Sequence, residues 1–222
     1  MKNIITYIFR VGSDVEVRFD VDLDRPAAEG EFPDWTLLEQ DKCPHCPLAA
    51  TPGARCPAAA DLAPVVKRFS ALASIDSVDV RMVRPEFEVH KHTDTQTALS
   101  ALMGLILATS GCPILNRMRP LAQMHLPFPN ETEVVYRLTS MHVFECFLEG
   151  KMPDLKGLEG FFADVDTLNQ AFAQRIKRAI TRDAGINALV LLHARNMMAG
   201  LSIDDNLEKI RTWFQHSPPA LK

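Results

Sequence analysis

The sequence predicts an α+β fold, with a small antiparallel N-terminal sheet and a mostly helical body. Three observations carry this. Period-2 apolar alternation occurs at residues 4–21 and again at 78–92, apolar spacing turns helical beyond residue 93, and one helical stretch carries no charge. At 222 residues the chain fits one domain. Residues 1–222 are read as that domain, with sheet and cysteine-rich loop in 1–92 and helical body in 93–222.

The first hairpin is Ile4-Thr6-Ile8-Arg10 against Val15-Val17-Phe19-Val21, each alternating with its neighbours, with Gly12-Ser13 as the turn. Asp20 to Pro33 is polar, holds two prolines and a glycine, and reads as a loop. A second extended region spans Val78 to His92, where Pro85 marks a break or an edge. Together these pieces make a sheet of three or four strands. Asp61 is placed to cap a short helix through Ala73. Thr93 or Asp94 starts the uncharged helix, and Gly111 with Pro113 beyond it stops it. Asn130 and Glu133 have capping-box spacing, followed by the stripe Val134, Val135, Leu138, Met141 and Phe144. Leu158, Phe161, Phe162, Val165, Leu168, Phe172, Ile176 and Ile180 keep helical spacing along another long helix. Asn187–Ala199 and Ser202–Gln215 complete the body, with Gly200 between them as terminator.

Composition narrows the function classes. A formal charge of -4 argues against nucleic acid or anionic membrane as a partner. Residues 95–116 are uncharged, but twelve of the 22 are apolar, too few for a membrane span. The first ten residues lack a signal-peptide pattern, so a cytoplasmic protein is expected, with an unknown protein or small-molecule partner. Phosphate-loop, dinucleotide-binding and nucleophile-elbow signatures are absent.

The five cysteines divide into four plus one. Cys43, Cys46, Cys56 and Cys112 are each followed by proline, whereas Cys146 is not. With 15 prolines in the chain, four such pairs arise by chance on the order of once in ten thousand. Proline fixes the local backbone and removes one N–H, so that later amides can point at the sulfur. The Cys-x2-Cys pair supplies two sulfurs from one turn, Cys56 closes a loop past Pro52-Gly53, and Cys112 arrives from beyond the uncharged helix. A structural zinc held by all four fits best. The alternative is a 4Fe-4S cluster on the same ligands, with an electron-transfer, redox-sensing or enzymatic role. The third reading is buried thiols or incidental disulfides. His45 lies inside the knuckle as a substitute ligand, though a solvent-exposed side chain is the simpler reading. Cys146 belongs to a packed helix stripe.

The run Cys43-Pro-His-Cys-Pro-Leu, then Cys56-Pro, then Leu102 through Ala108-Thr-Ser-Gly-Cys-Pro113, then His125-Leu-Pro-Phe128 with Glu131-Thr132, resembles an uncharacterised bacterial protein family. The likeness extends to Asn187-Ala-Leu189. It implies a bacterial protein and carries no activity with it.

Weaker candidates remain. His125 and Glu131, near a helix N-terminus, are the catalytic pair to examine, against a loop that packs Phe128 while Asn130 caps the helix. His142 and Glu145 lie three apart without a matching second element, His90 and His92 share a strand face, and His193 sits among apolar neighbours. Arg175, Lys177, Arg178 and Arg182 read as a solvated helix face.

Overall fold

Alternation along the N-terminal strands is translated directly into a one-faced sheet. In the computed structural model, which describes residues 3–12, 15–70, 72–179, 187 and 203–215, β1 (Ile4–Val11) pairs antiparallel with β2 (Val15–Asp22). Gly12 turns the chain between them at φ +65°, a conformation open to glycine. The second extended region becomes β3 (Ser77–Arg84) and β4 (Phe87–Asp94), and Pro85 lies in the turn that separates them. β1 also pairs antiparallel with β3, giving a four-stranded sheet in the order β2-β1-β3-β4. The register aligns Tyr7 with Phe19 and Met82, and Phe9 with Val17 and Val80, so one face is apolar. Phe9 and Phe19 both meet Phe69 there, with ring centroids 5.0 and 5.9 Å away.

Helix α1 (Pro57–Phe69) brings Phe69 to that face. It starts four residues before the expected Asp61. Proline at the first helical position carries no orphan N–H and has a helical φ, so the chain turns helical directly after Cys56. Asp61 is instead buried inside the helix and pairs with Arg25. Arg25 Nε donates to Asp61 Oδ2 at 3.1 Å, Nη1 to Thr109 Oγ1 at 2.7 Å, and Nη2 to the Ile106 carbonyl at 3.1 Å.

Helix α2 (Thr95–Ala108) is the uncharged helix. Asp94 caps it through the Thr97 N–H at 2.8 Å, and most of its side chains are buried. Gly111, at φ +73°, ends the segment before Pro113. A short 3-10 turn (Leu115–Met118) and α3 (Arg119–Gln123) lead to α4 (Glu131–Leu148). The capping box is present: Asn130 accepts from the Glu133 N–H, and Glu133 accepts from the Asn130 N–H. The buried line of α4 runs through Val135, Leu138, His142 and Cys146. The expected stripe was therefore rotated in its second half, and Phe144 is 63% exposed.

Helix α5 (Leu155–Lys177) is capped by Asp154, and α6 (Ile203–Gln215) lies along α4, where Asn206 bonds Thr132 and Glu131. Residues 180–186 and 188–202 lie outside the described residues, and with them Ile180, Arg182, His193, Gly200 and all but the first residue of the expected Asn187–Ala199 helix. The fold is α+β, and no described helix is long and apolar enough to cross a membrane.

Arg25→Met leaves the Asp61 carboxylate buried without its cation, which costs about 3–5 kcal/mol. Urea unfolding should show that loss, and Arg25→Met with Asp61→Leu should recover much of it. A single substitution costing under about 1 kcal/mol, the exposed-pair range, would show that the pair holds nothing.

Candidate metal centre

One tight turn and a helix start carry the first three Cys-Pro units. The Cys46 N–H donates to the Cys43 carbonyl at 3.0 Å, with Pro44 and His45 at the centre of the turn. Residues 36–38 and 54–56 then pair as a short ladder. The Leu38 N–H donates to the Ala54 carbonyl at 2.7 Å, and the Cys56 N–H to the Thr36 carbonyl at 2.8 Å. Cys56 is the N-cap of α1. Cys112 follows Gly111, and its carbonyl accepts from the Asn116 N–H at 2.8 Å.

These units converge. Cys56 and Cys112 belong to the main core, and Cys43 and Cys46 are half-buried against it. Burial pushes the Cys43 thiol up to about 11, and the charges of Cys56, Cys46 and Cys112 push it the same way. Burial is also the main cause that raises Cys56 and Cys112. Backbone N–H groups act against it at both positions: those of Ala59 and Ala58 favour the Cys56 thiolate, and those of Leu115 and Ile114 favour the Cys112 thiolate. In each case the amides come two and three residues after the cysteine, beyond the proline that has none. Cys56 makes no full capping hydrogen bond with them.

All five cysteines are free, and no disulfide joins any of the four. Among the described residues, no three His, Cys, Asp or Glu side chains stand as a ready-made metal-binding group. The four thiols share one electrostatic neighbourhood without being closed to ligand distances.

Arg175 sits over this neighbourhood. Its basic neighbours predict a solvated face, but it is 1% exposed. It lies three residues beyond Phe172 and seven beyond Leu168, on the buried stripe of α5, and that spacing was the available signal. Its Nη1 donates to the carbonyls of Trp35, at 2.8 Å, and Leu37, and its Nη2 to those of Leu38 and Asp41, at 3.5 and 3.1 Å. Among the described residues it has no carboxylate partner. Its charge lowers the pKa of Cys43 and Cys56, against the effect of burial. Arg178 does face the surface, and pairs with Asp41 at 2.9 Å.

His45 is half-buried rather than solvent-exposed. Its Nε2 is enclosed and has no hydrogen-bond partner among the described residues.

The remaining candidates are held apart. His125 Nε2 lies 2.6 Å from the Tyr7 hydroxyl, while Glu131 accepts from Asn206 Nδ2 at 3.2 Å on the α6 side. His125 lines a cavity beside α2 that Glu131 does not reach. His142 is fully engaged: Arg117 Nη2 donates to its Nδ1 at 3.0 Å, and its Nε2 donates to the Asp154 carbonyl at 2.8 Å. The same Arg117 bonds Glu145 and lies over the Phe161 ring, 4.8 Å from its centroid. His90 and His92 are exposed and pair with different carboxylates, Glu88 and Asp79.

Burial is the main cause that holds His125 neutral, with its pKa lowered to about 3, and the nearby Arg137 and Arg84 add to it. The unfolded chain takes up a proton at this histidine below about pH 6.5, whereas the folded chain does not until about pH 3. Acid therefore favours unfolding through this range, by about 1.4 kcal/mol per pH unit once well below 6.5. Stability measured from pH 7 to pH 4.5 should fall more steeply for the native chain than for His125→Gln. Parallel curves would remove His125 as the cause.

No curated protein and no solved structure matches the chain. A family described as Domain of unknown function (DUF6901) matches residues 5–215. The chain belongs to that family.

Proposed function

We propose that the chain is a cytoplasmic metal-binding protein in which Cys43, Cys46, Cys56 and Cys112 hold one structural zinc ion. The ion would lock the cysteine loop to the helical body, and that body would do the binding or regulatory work. The observation that carries this reading is the buried Arg175 cation. A guanidinium without an opposing charge is costly to bury, and carbonyl dipoles offset only part of that cost. Zinc with four thiolates has a net charge of about -2 and would supply the missing opposite charge at this place. The amides near Cys56 and Cys112 support the same reading, because N–H groups at a thiolate are what a metal–sulfur centre uses outside its ligands. The enclosed, unpartnered Nε2 of His45 offers one further donor atom beside the first two cysteines.

A 4Fe-4S cluster would draw on the same thiols and the same cation. The two are separated by metal analysis of protein purified without oxygen. About one zinc per chain in a colourless protein is expected, and a brown protein carrying iron would overturn zinc.

Cys112→Ser should lose metal and melt lower, because metal binding and folding are coupled. A loss of about 3 kcal/mol corresponds to about 6–12 °C in a chain of this size. Metal content and melting temperature both unchanged would end the four-ligand model. Arg175→Met should weaken zinc retention against a chelator about tenfold, and Arg175→Lys should recover part of it, since lysine restores the charge. Equal losses in both variants would assign Arg175 to loop structure alone.

A further inference from the structure

The His125–Pro129 segment, which contains the run His125-Leu-Pro-Phe128, takes no part in the candidate metal centre. The segment closes one side of a cavity of about 120 Å³ between α2, α3 and the first half of α4. The walls are apolar, from residues such as Ala101, Leu105, Leu121 and Leu138. None of the four Cys-Pro cysteines lines it. Phe128, at its edge, is held at φ +59°, a left-handed conformation uncommon for an aromatic residue, and its ring lies under Lys91 at 4.8 Å.

Two polar side chains in this lining have unused donors. The first is His125. Tyr7 is buried and, among the described residues, its hydroxyl meets only His125 Nε2; a phenol that donates its proton there, and so leaves no buried O–H unpaired, places the ring proton on Nδ1. Nδ1 has no partner among the described residues. The second is Arg137. Its Nη2 donates to the Leu121 and Met124 carbonyls at 3.2 and 2.7 Å, leaving Nε and Nη1 without protein partners among the described residues. It forms no ion pair among them either. The nearest influence of opposite sign is Glu133, whose carboxylate is engaged in the capping box. Burial lowers the pKa of Arg137, as expected of a cation short of compensation.

We propose that this cavity binds a small carboxylic acid, with its apolar body between α2 and α4 and its carboxylate on Arg137 and the His125 Nδ1–H. The size sets the class. Dry apolar cavities of about 150 Å³ accept benzene, so the body is limited to about five or six carbons. Charge sets the head group, because a neutral ligand would leave the Arg137 cation unanswered, whereas a carboxylate accepts one charge-assisted bond from a free Arg137 N–H and a second from the His125 Nδ1–H.

The test is calorimetric titration of the full chain with hexanoate and, separately, with hexanol. Saturable hexanoate binding with a dissociation constant below about 1 mM, and hexanol at least tenfold weaker, is the expected result. Arg137→Met should weaken hexanoate about tenfold and leave hexanol unchanged, while Ala101→Leu should reduce both by filling the cavity. If Arg137→Met does not fold, Arg137→Lys replaces it and should weaken hexanoate, because a single ammonium does not serve the Leu121 and Met124 carbonyls and the ligand together. Hexanol equal to hexanoate, no saturation by about 10 mM, or Ala101→Leu binding as tightly as the native chain would each overturn the proposal. Zinc content plays no part in this readout, so the site stands or falls apart from the metal centre.

Discussion

The whole molecule is arranged around a helix with no charge on it. A helix apolar on every side has no stable exposed orientation, so it must be covered on every side. The sheet takes one flank of α2, α1 and Phe69 fill the space beside it, and the 3-10 turn at Leu115–Met118 with α3 closes the other side. Its ends are handled separately. Asp94 satisfies the N-terminal amides, and Arg25 reaches the Ile106 carbonyl near the C-terminus, where a cation opposes the helix dipole. Arg25 can stay there only because Asp61 balances it. The position of Cys112, just past the end of α2, follows from this covering and not from anything local to the cysteine.

The cysteine loop has the opposite character. It contains almost no regular structure and is held chiefly by a side chain from far along the sequence. Arg175 gathers four carbonyls between Trp35 and Asp41, and the ladder at residues 36–38 and 54–56 passes that order on to Cys56. One guanidinium therefore helps shape the loop and at the same time opposes the effect of burial on Cys43 and Cys56. Tyr7 and His125 do something similar at the cavity, where a strand residue fixes the tautomer of a loop histidine 118 residues away.

Local rules made much of this legible. Both hairpins, the α2 cap and stop, the capping box of α4 and the pairing of each of four cysteines with proline all depend on neighbours within a few residues. What escaped depended on partners distant in sequence. Asp61 reads as a cap until Arg25 is placed beside it, and the α4 stripe cannot be phased at Phe144 without knowing that α3 and α6 cover only part of the helix. Arg175 was the most instructive miss. Its position on the Leu168–Phe172 stripe pointed inward, but its charge and its basic neighbours pointed outward, and the carbonyls that accept its protons are more than 130 residues away. His45 escaped for the same reason, since nothing within its own turn buries Nε2.

That distance also orders events during synthesis. Cys43, Cys46 and Cys56 leave the ribosome about 120 residues before Arg175 does. At roughly 5–20 residues per second, the loop spends about 6–24 s without the side chain that organises it. For nearly the first half of that interval the three thiols are present without Cys112, and for all of it they are present without Arg175. The nascent chain thus passes through a window in which oxidation competes with assembly, and the finished protein, with Cys56 and Cys112 buried and Cys43 and Cys46 half-buried, narrows that opening.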